Sequence, residues 1–389
     1  MRIRSVEVCR LERPPDASAE PATPRREPWA VHAEVANPMS KFQRFKRHRS
    51  LWLPKWPPVF VKVTAEDGTW GLGMTSHGRP VAAIIEDHLG PLLIGENAFA
   101  VERCWDLMNR ATKPYGTSGL ACCAISALDL ALWDLVGKLL DRPVYELLGG
   151  PARERIFTYA TGNDVDWYQE CGFRAFKLAC PYGPADGWEG LQANEELVAR
   201  AREQIGDEAE LMLDCYMAFD VDYTVRLAEQ LRPYHLRWIE EFLFPEDFEG
   251  HRAVRERIPW QPLAGGEHLF TPWPFRRLIE DRSLDVLQPD IFWVGGLTAC
   301  RHICTIANAA NVAVILHGGG MHPYGLHLTA AMPNTPWAEY FIASPPGIPL
   351  NQTKPLLATV VPEAGFIFPT DAPGFGLEVK EEWLKPFFG

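Results

Sequence analysis

The pattern of hydrophobic and polar positions changes character near Gly150. Beyond it, apolar runs of strand length recur at 156–160, 174–179, 210–214, 236–240, 261–266, 284–288, 312–316 and 337–342. Amphipathic helical patterns, for example 191–206, 220–232, 247–257 and 296–310, stand between them. Eight short strands separated by helices predict a parallel α/β barrel rather than an open sheet. The segment of about 200 residues is at the small end for that fold.

Before Gly150 the texture is mixed. An alternating strand pattern covers 3–9, and a hairpin follows at 59–73 with its turn at Glu66, Asp67 and Gly68. Helical patterns occupy about 80–94, 99–111 and 119–139. The run from Ala121 to Leu140 is apolar nearly all round and is expected to be buried. Between strand and hairpin lies an irregular stretch, 11–57, rich in Pro and Arg. Loops of that length are lids or disordered segments, and Trp29, Phe42, Phe45, Trp52 and Trp56 favour a lid. The tail carries a strand-like run at 376–379. The expected organisation is an α+β capping domain over 1–150, including the lid 11–57, a barrel over 151–349, and a segment 350–389 that returns to the capping domain.

The 389 residues, 47% hydrophobic and 23% charged, suit a globular protein of two or three domains. A formal charge of -12 without a basic tail argues against nucleic acid or an anionic membrane as partner. An anionic substrate would be drawn in locally. The lid run Lys41, Arg44, Lys46, Arg47 and Arg49 is expected to do this. Nine scattered cysteines form no zinc-type pair and read as buried thiols. The first residues alternate like a strand rather than a signal peptide, and no apolar run is read as membrane-spanning, so a cytoplasmic enzyme is expected.

Three carboxylates close successive strand-like runs: Asp214, Glu240 and Glu267, at intervals of 26 and 27 residues. That interval is about one strand–helix repeat, which places all three acids at one end of a parallel sheet. Three converging carboxylates suit a hard dication, most simply Mg²⁺. Asp290 and His317 end the next two strands. A carboxylate beside an imidazole fixes its tautomer and makes it a usable base. Glu339, on the last strand, could hydrogen-bond a substrate carboxylate if it stays protonated or if a proton is shared in the transition state. His268 is expected to turn away from its neighbour Glu267, in a structural or supporting role. Glu241 is expected to point off the metal face by strand alternation.

Metal and base together define proton abstraction beside a carboxylate. A racemase needs a second base on strand two, usually from a Lys-x-Lys pair. Here the run is Lys177, Leu178, Ala179, so the second Lys is missing. A single His can remove the α-proton and then help expel a β-hydroxyl, which is dehydration of a 2,3-dihydroxy acid. Rival readings are a racemase or epimerase using Lys177 against His317, and a metabolite-binding protein that kept the barrel without the chemistry.

On these residues the chain resembles the enolase superfamily, mandelate racemase subgroup, over almost its whole length. The resemblance implies a modified (β/α)₇β TIM-like barrel with an α+β capping domain. It matches Asp214, Glu240 and Glu267 to Mg²⁺ ligands, Asp290 and His317 to a catalytic dyad, and Glu339 to a last-strand Glu. More narrowly, the chain looks like the L-rhamnonate dehydratases at 37–41, 159–162, 211–217, 237–241, 266–268, 288–290, 295–298 and 334–336. In that family an Arg downstream of the Pro-Met-Ser run helps bind substrate, and Arg49 stands at the corresponding distance. His32 is the nearest counterpart of the family's lid His, at a shorter spacing. Lys177 is a further candidate for substrate binding. The implied activity is Mg²⁺-dependent dehydration of an acid sugar, L-rhamnonate or a relative such as L-mannonate or L-lyxonate, to a 2-keto-3-deoxy acid. The implied assembly is a homo-oligomer, often an octamer.

Overall fold

The computed structural model describes residues 1–13, 23–342 and 344–388, and His32 by its backbone alone. Part of the expected lid, 14–22, and the last residue of the tail lie outside the described residues.

Three strands of the first sheet come from the N-terminal region: β1 (Ile3–Leu11), β2 (Val59–Ala65) and β3 (Trp70–Thr75). All their pairings are antiparallel. The apolar helix Leu120–Leu140 crosses this sheet, and Gly71 and Gly73 permit the close approach. A Cβ at either would collide with the carbonyl of Ala131 or Ala127. The helix has the length and hydropathy of a membrane span, contrary to the sequence expectation. Yet 94% of its most apolar window is buried inside the protein, so it is the core of this layer. Buried Asp134 accepts from the Leu72 and Phe375 N–H groups, each at 2.9 Å, and so joins hairpin, helix and tail.

The second sheet holds β4 (Ile156–Thr161), β5 (Ala175–Ala179), β6 (Glu210–Asp214), β7 (Trp238–Glu240), β8 (Leu263–Gly265), β9 (Val286–Leu287), β10 (Ala313–Val314) and β11 (Trp337–Phe341). They pair in parallel from β4 through to β10, and β11 returns to lie beside β4. Between β10 and β11 the wall is joined by single bonds, Val314 N–H to Asn334 O (2.9 Å) and Gly320 N–H to Glu339 O (2.7 Å). Tyr159, Ala175, Met212, Trp238, Ala264 and Ile315 fill the interior. Ala179, Asp214 and Glu240 are direct neighbours across β5, β6 and β7, which puts the strand ends on one rim.

The helices Val165–Glu170, Pro272–Glu280 and Pro323–Ala331 complete the alternation of strand and helix expected for the barrel. The tail differs from expectation. Residues 376–379 form no strand. Instead β12 (Phe366–Ile367) pairs antiparallel with β4 of the barrel, and β13 (Leu384–Pro386) pairs with β1. The tail therefore binds both layers rather than the first alone.

Candidate active site

A cavity of about 310 Å³ opens at the C-terminal ends of the barrel strands. Asp214, Glu267, Asp290, His317, Glu339, Lys177 and Arg49 all line it. Seven of the nine residues singled out from the sequence are thus brought together. Glu240 is not among the lining residues; it is fully buried and in contact with Lys177. The side chain of His32 lies outside the described residues.

His317 follows β10. Its Nδ1 stands 2.6 Å from Asp290 Oδ2, and the other Asp290 oxygen accepts from the Phe292 N–H at 2.7 Å. With Nδ1 committed, Nε2 is the free end of the ring, 3.6 Å from Glu267 Oε2. Burial opposes protonation of this imidazole, but Glu267, Asp290 and Glu339 outweigh it and hold the pKa well above the ordinary histidine range.

Lys177 on β5 is fully buried. Its ammonium touches Glu240 Oε1, lies 2.8 Å from Glu339 Oε1 and 3.9 Å from Asp214 Oδ2. Burial would favour the neutral amine, yet these carboxylates push its pKa well above the usual lysine value. Glu339 is correspondingly ionised. Burial would raise its pKa, but Lys177 and His317, with bonds from Lys177 and the Thr161 hydroxyl (2.5 Å), bring it down to about 2. Its second oxygen accepts from the Gly318 N–H at 2.8 Å. Of the two routes by which Glu339 could hydrogen-bond a substrate carboxylate, this lowered pKa favours a shared proton over a carboxyl protonated beforehand.

Four acids crowd the rim. Glu240 Oε2 accepts from Trp238 Nε1–H (2.8 Å) and Gln288 Nε2–H (2.7 Å). Burial raises the Asp214 pKa, and it raises those of Glu240 to about 8 and Glu241 to about 7. Mutual repulsion adds to each: Glu267 acts on Asp214 and Glu241, and Asp214 on Glu240. Buried carboxylates that repel one another, beyond what Lys177 neutralises, are a donor set suited to a dication. Glu241 is a correction to the sequence reading. Its φ of +46° breaks the strand alternation, and its carboxylate, Glu267 and His268 bring donor atoms within 4.8 Å of one another. His268 Nδ1 lies 2.9 Å from Glu241 Oε1, and its pKa rises to about 9: burial lowers it, and Glu241 more than offsets that.

The lid contributes less than its composition promised. Arg49 lines the cavity, its guanidinium 4.3 Å from the centre of the Tyr216 ring. Trp29 also lines it, edge-on to Phe341 at 6.2 Å. Phe42 and Trp56 remain exposed. Lys46 is paired with Asp186 (2.7 Å) and Arg47 with Glu34 (2.8 Å), so these two charges are spent within the protein. Sequence reasoning missed Tyr216, Phe292, Trp293, Met321 and His322. Trp293 packs against both His268 (5.3 Å) and His317 (5.4 Å), and its Nε1–H donates to Ser76 Oγ (2.8 Å) of the capping layer. Only Tyr216 had a signal, in the motif that contains Asp214.

Two family models match the chain: the mandelate racemase / muconate lactonizing enzyme N-terminal domain over 53–149, and the enolase C-terminal domain-like model over 163–383. An L-rhamnonate dehydratase of Saccharopolyspora erythraea is 40% identical over 357 residues, 90% of this chain and 91% of that one. Among solved structures, rhamnonate dehydratase from Gibberella zeae complexed with Mg superposes with a TM-score of 0.89 at 32% identity, covering 99% of this chain and 96% of that one. A racemase from Streptomyces coelicolor A3(2) with bound magnesium gives a TM-score of 0.77 at 27% identity, with 98% of each chain covered. The chain belongs to the enolase superfamily, in its mandelate racemase subgroup.

Proposed function

We propose that this protein is an Mg²⁺-dependent acid-sugar dehydratase, acting on L-rhamnonate or a close stereochemical relative and yielding the 2-keto-3-deoxy acid. The observation that carries the reading is the His317–Asp290 pair, with imidazole Nε2 free beside a cluster of buried carboxylates on the barrel rim. The names of the relatives support the substrate class.

Asp214, Glu240 and Glu267 would hold the ion, with Glu241 and His268 beside them. Each carboxylate oxygen has two lone pairs, so a hydrogen-bonded oxygen of Glu240 can still face a cation. When bound, Mg²⁺ supplies Lewis-acid stabilisation of the charge that builds on the substrate carboxylate as the α-proton leaves, and offsets the carboxylates around His317.

Asp290 holds His317 in the tautomer whose Nε2 is unprotonated, and that nitrogen takes the C2 proton. The C2–H electrons form the C2–C3 double bond as the C3–O bond breaks. The same imidazolium returns its proton to the departing hydroxyl, so water leaves and the enol tautomerises to the 2-keto acid. Lys177 cannot serve as a second base, because its ammonium is locked between Glu240 and Glu339. This counts against the racemase reading. Glu339 keeps Lys177 charged and in place, and Arg49 lines the cavity.

We further take the chain to divide into a capping layer (1–150), a barrel (151–349) and a tail (350–389), and to act as a cytoplasmic homo-oligomer. Light scattering on the purified protein tests the last point. A screen of acid sugars for 2-keto-acid formation, with and without Mg²⁺, tests the function. Turnover of L-rhamnonate or a stereochemical neighbour supports it, and a flat response across the library overturns it.

A further inference from the structure

His322 lines the same cavity, five residues beyond His317 and just before the helix Pro323–Ala331. Its Nδ1 lies 2.9 Å from the backbone carbonyl of Leu356, in the tail. A carbonyl oxygen can only accept, so Nδ1 carries the hydrogen. Burial, only partly offset by that bond, lowers the imidazole pKa to about 4, and the ring is neutral at physiological pH. Its Nε2 is then a bare lone pair. Among the described residues no hydrogen bond is made to Nε2. Phe292 packs edge-on against the ring at 5.0 Å and fixes its plane.

We infer that His322 is a specificity-determining residue, whose Nε2 accepts a hydrogen bond from a hydroxyl on the part of the substrate remote from the reacting carbons. The inference rests on the dehydratase reading for its substrate class. A fixed acceptor without a proton repels a carboxylate and selects a donor, and the donors of a sugar acid away from its carboxylate are hydroxyls. Phe292, Met321, Phe341 and Trp29 supply apolar cavity wall around it. The Leu356 carbonyl gives the tail a part in recognition, because it chooses the tautomer. In an apolar setting, one acceptor left without its donor costs far more discrimination than an added methylene.

The test compares wild type, His322→Phe and His322→Gln on L-rhamnonate and on its 4-deoxy and 5-deoxy counterparts. Each is read as kcat/KM and as Kd by calorimetry with Mg²⁺, using His317→Asn backgrounds for the Kd. Wild type should discriminate against one deoxy acid by about 10-fold to 100-fold, the range of one lost hydrogen bond to an acceptor left without a partner. His322→Phe should lose a similar factor on L-rhamnonate, chiefly in KM, and should lose nothing more on that deoxy acid. His322→Gln, which retains an acceptor, should recover part of the loss. Equal losses on all three acids, or no loss, would overturn the inference. An acid sugar that binds but is never turned over by otherwise wild-type protein would overturn the dehydratase reading alone, since Kd still reports the hydroxyl contact. No binding of any of these acids would overturn both.

Discussion

The ammonium of Lys177 lies 2.8 Å from the carboxylate of Glu339, deep in the barrel, and also touches the carboxyl of Glu240. One buried cation thus holds two buried carboxyl groups. Removing it strands both, and breaking such a pair costs about 3–5 kcal/mol. Lys177→Met should lower stability by that amount in urea unfolding with EDTA present. An unchanged midpoint would show that the pair is not formed in solution. The same lock predicts no exchange of solvent deuterium into C2 of recovered substrate beyond what dehydration itself allows.

Metal dependence should separate Glu240, which ends β7, from its neighbour Glu241 just beyond the strand. EDTA should abolish turnover and Mg²⁺ restore it. Glu240→Gln should abolish turnover at any practical Mg²⁺ concentration. Glu241→Gln should keep activity but weaken Mg²⁺ affinity by about 10–100-fold, the usual effect of a residue that orients a ligand. Titration of each variant with Mg²⁺ decides between them, and full activity of a metal-stripped sample would remove the ion from the account.

The site was legible where the repeat of the fold dictates it. Parallel strands joined by helices return to the same rim at a near-constant interval, so Asp214, Glu240, Glu267, Asp290 and His317 could be placed from spacing alone. Glu241 was not legible, because its positive φ departs from the two-residue alternation on which the reading depended. His322 was hidden because its partner is a backbone carbonyl 34 residues away, which leaves no side-chain signature. The lid has no period, so its exposed Phe42 and Trp56 could not be told from the inward Trp29. The helix Val165–Glu170 has six residues, too few for a helical period to show. At the tail, pairing with the edge of β1 at 384–386 won over the local strand pattern at 376–379.

The contact between capping layer and barrel should titrate. Asp129, buried in the helix Leu120–Leu140, accepts from the Thr298 N–H (2.9 Å) and hydroxyl (2.6 Å). Burial raises its pKa from 3.8 to about 7, against the pull of the Thr298 bonds. A raised carboxyl is favoured neutral in the folded state. Its contribution is therefore complete below about 3.8 and is lost as pH rises through about 7. The loss is on the order of a few kcal/mol, at about 1.4 kcal/mol per pH unit of displacement. Asp129→Asn should flatten the stability–pH curve across that window in thermal or urea unfolding. An unchanged slope would assign the pH dependence elsewhere.

Substrate breadth should follow the apolar wall. L-mannonate differs from L-rhamnonate by a 6-hydroxyl, and an apolar surface rejects an added hydroxyl by only about 100-fold. It should be a poorer but measurable substrate. Epimers at C2 or C3 should fail, because they misplace the proton or the leaving group relative to His317. Comparison of kcat/KM across these acids checks both statements, and equal rates for a C2 epimer would contradict them.

The central claim is that His317 removes the C2 proton and assists the departing hydroxyl. A general acid–base group is worth roughly 10²–10⁴-fold, and one residue in both roles should reach at least the upper end. The direct measurement is kcat of His317→Asn on the best acid sugar, with bound Mg²⁺ verified by calorimetry. The account predicts a loss of about 10⁴-fold with the metal still held; a variant retaining a tenth of wild-type kcat would contradict it.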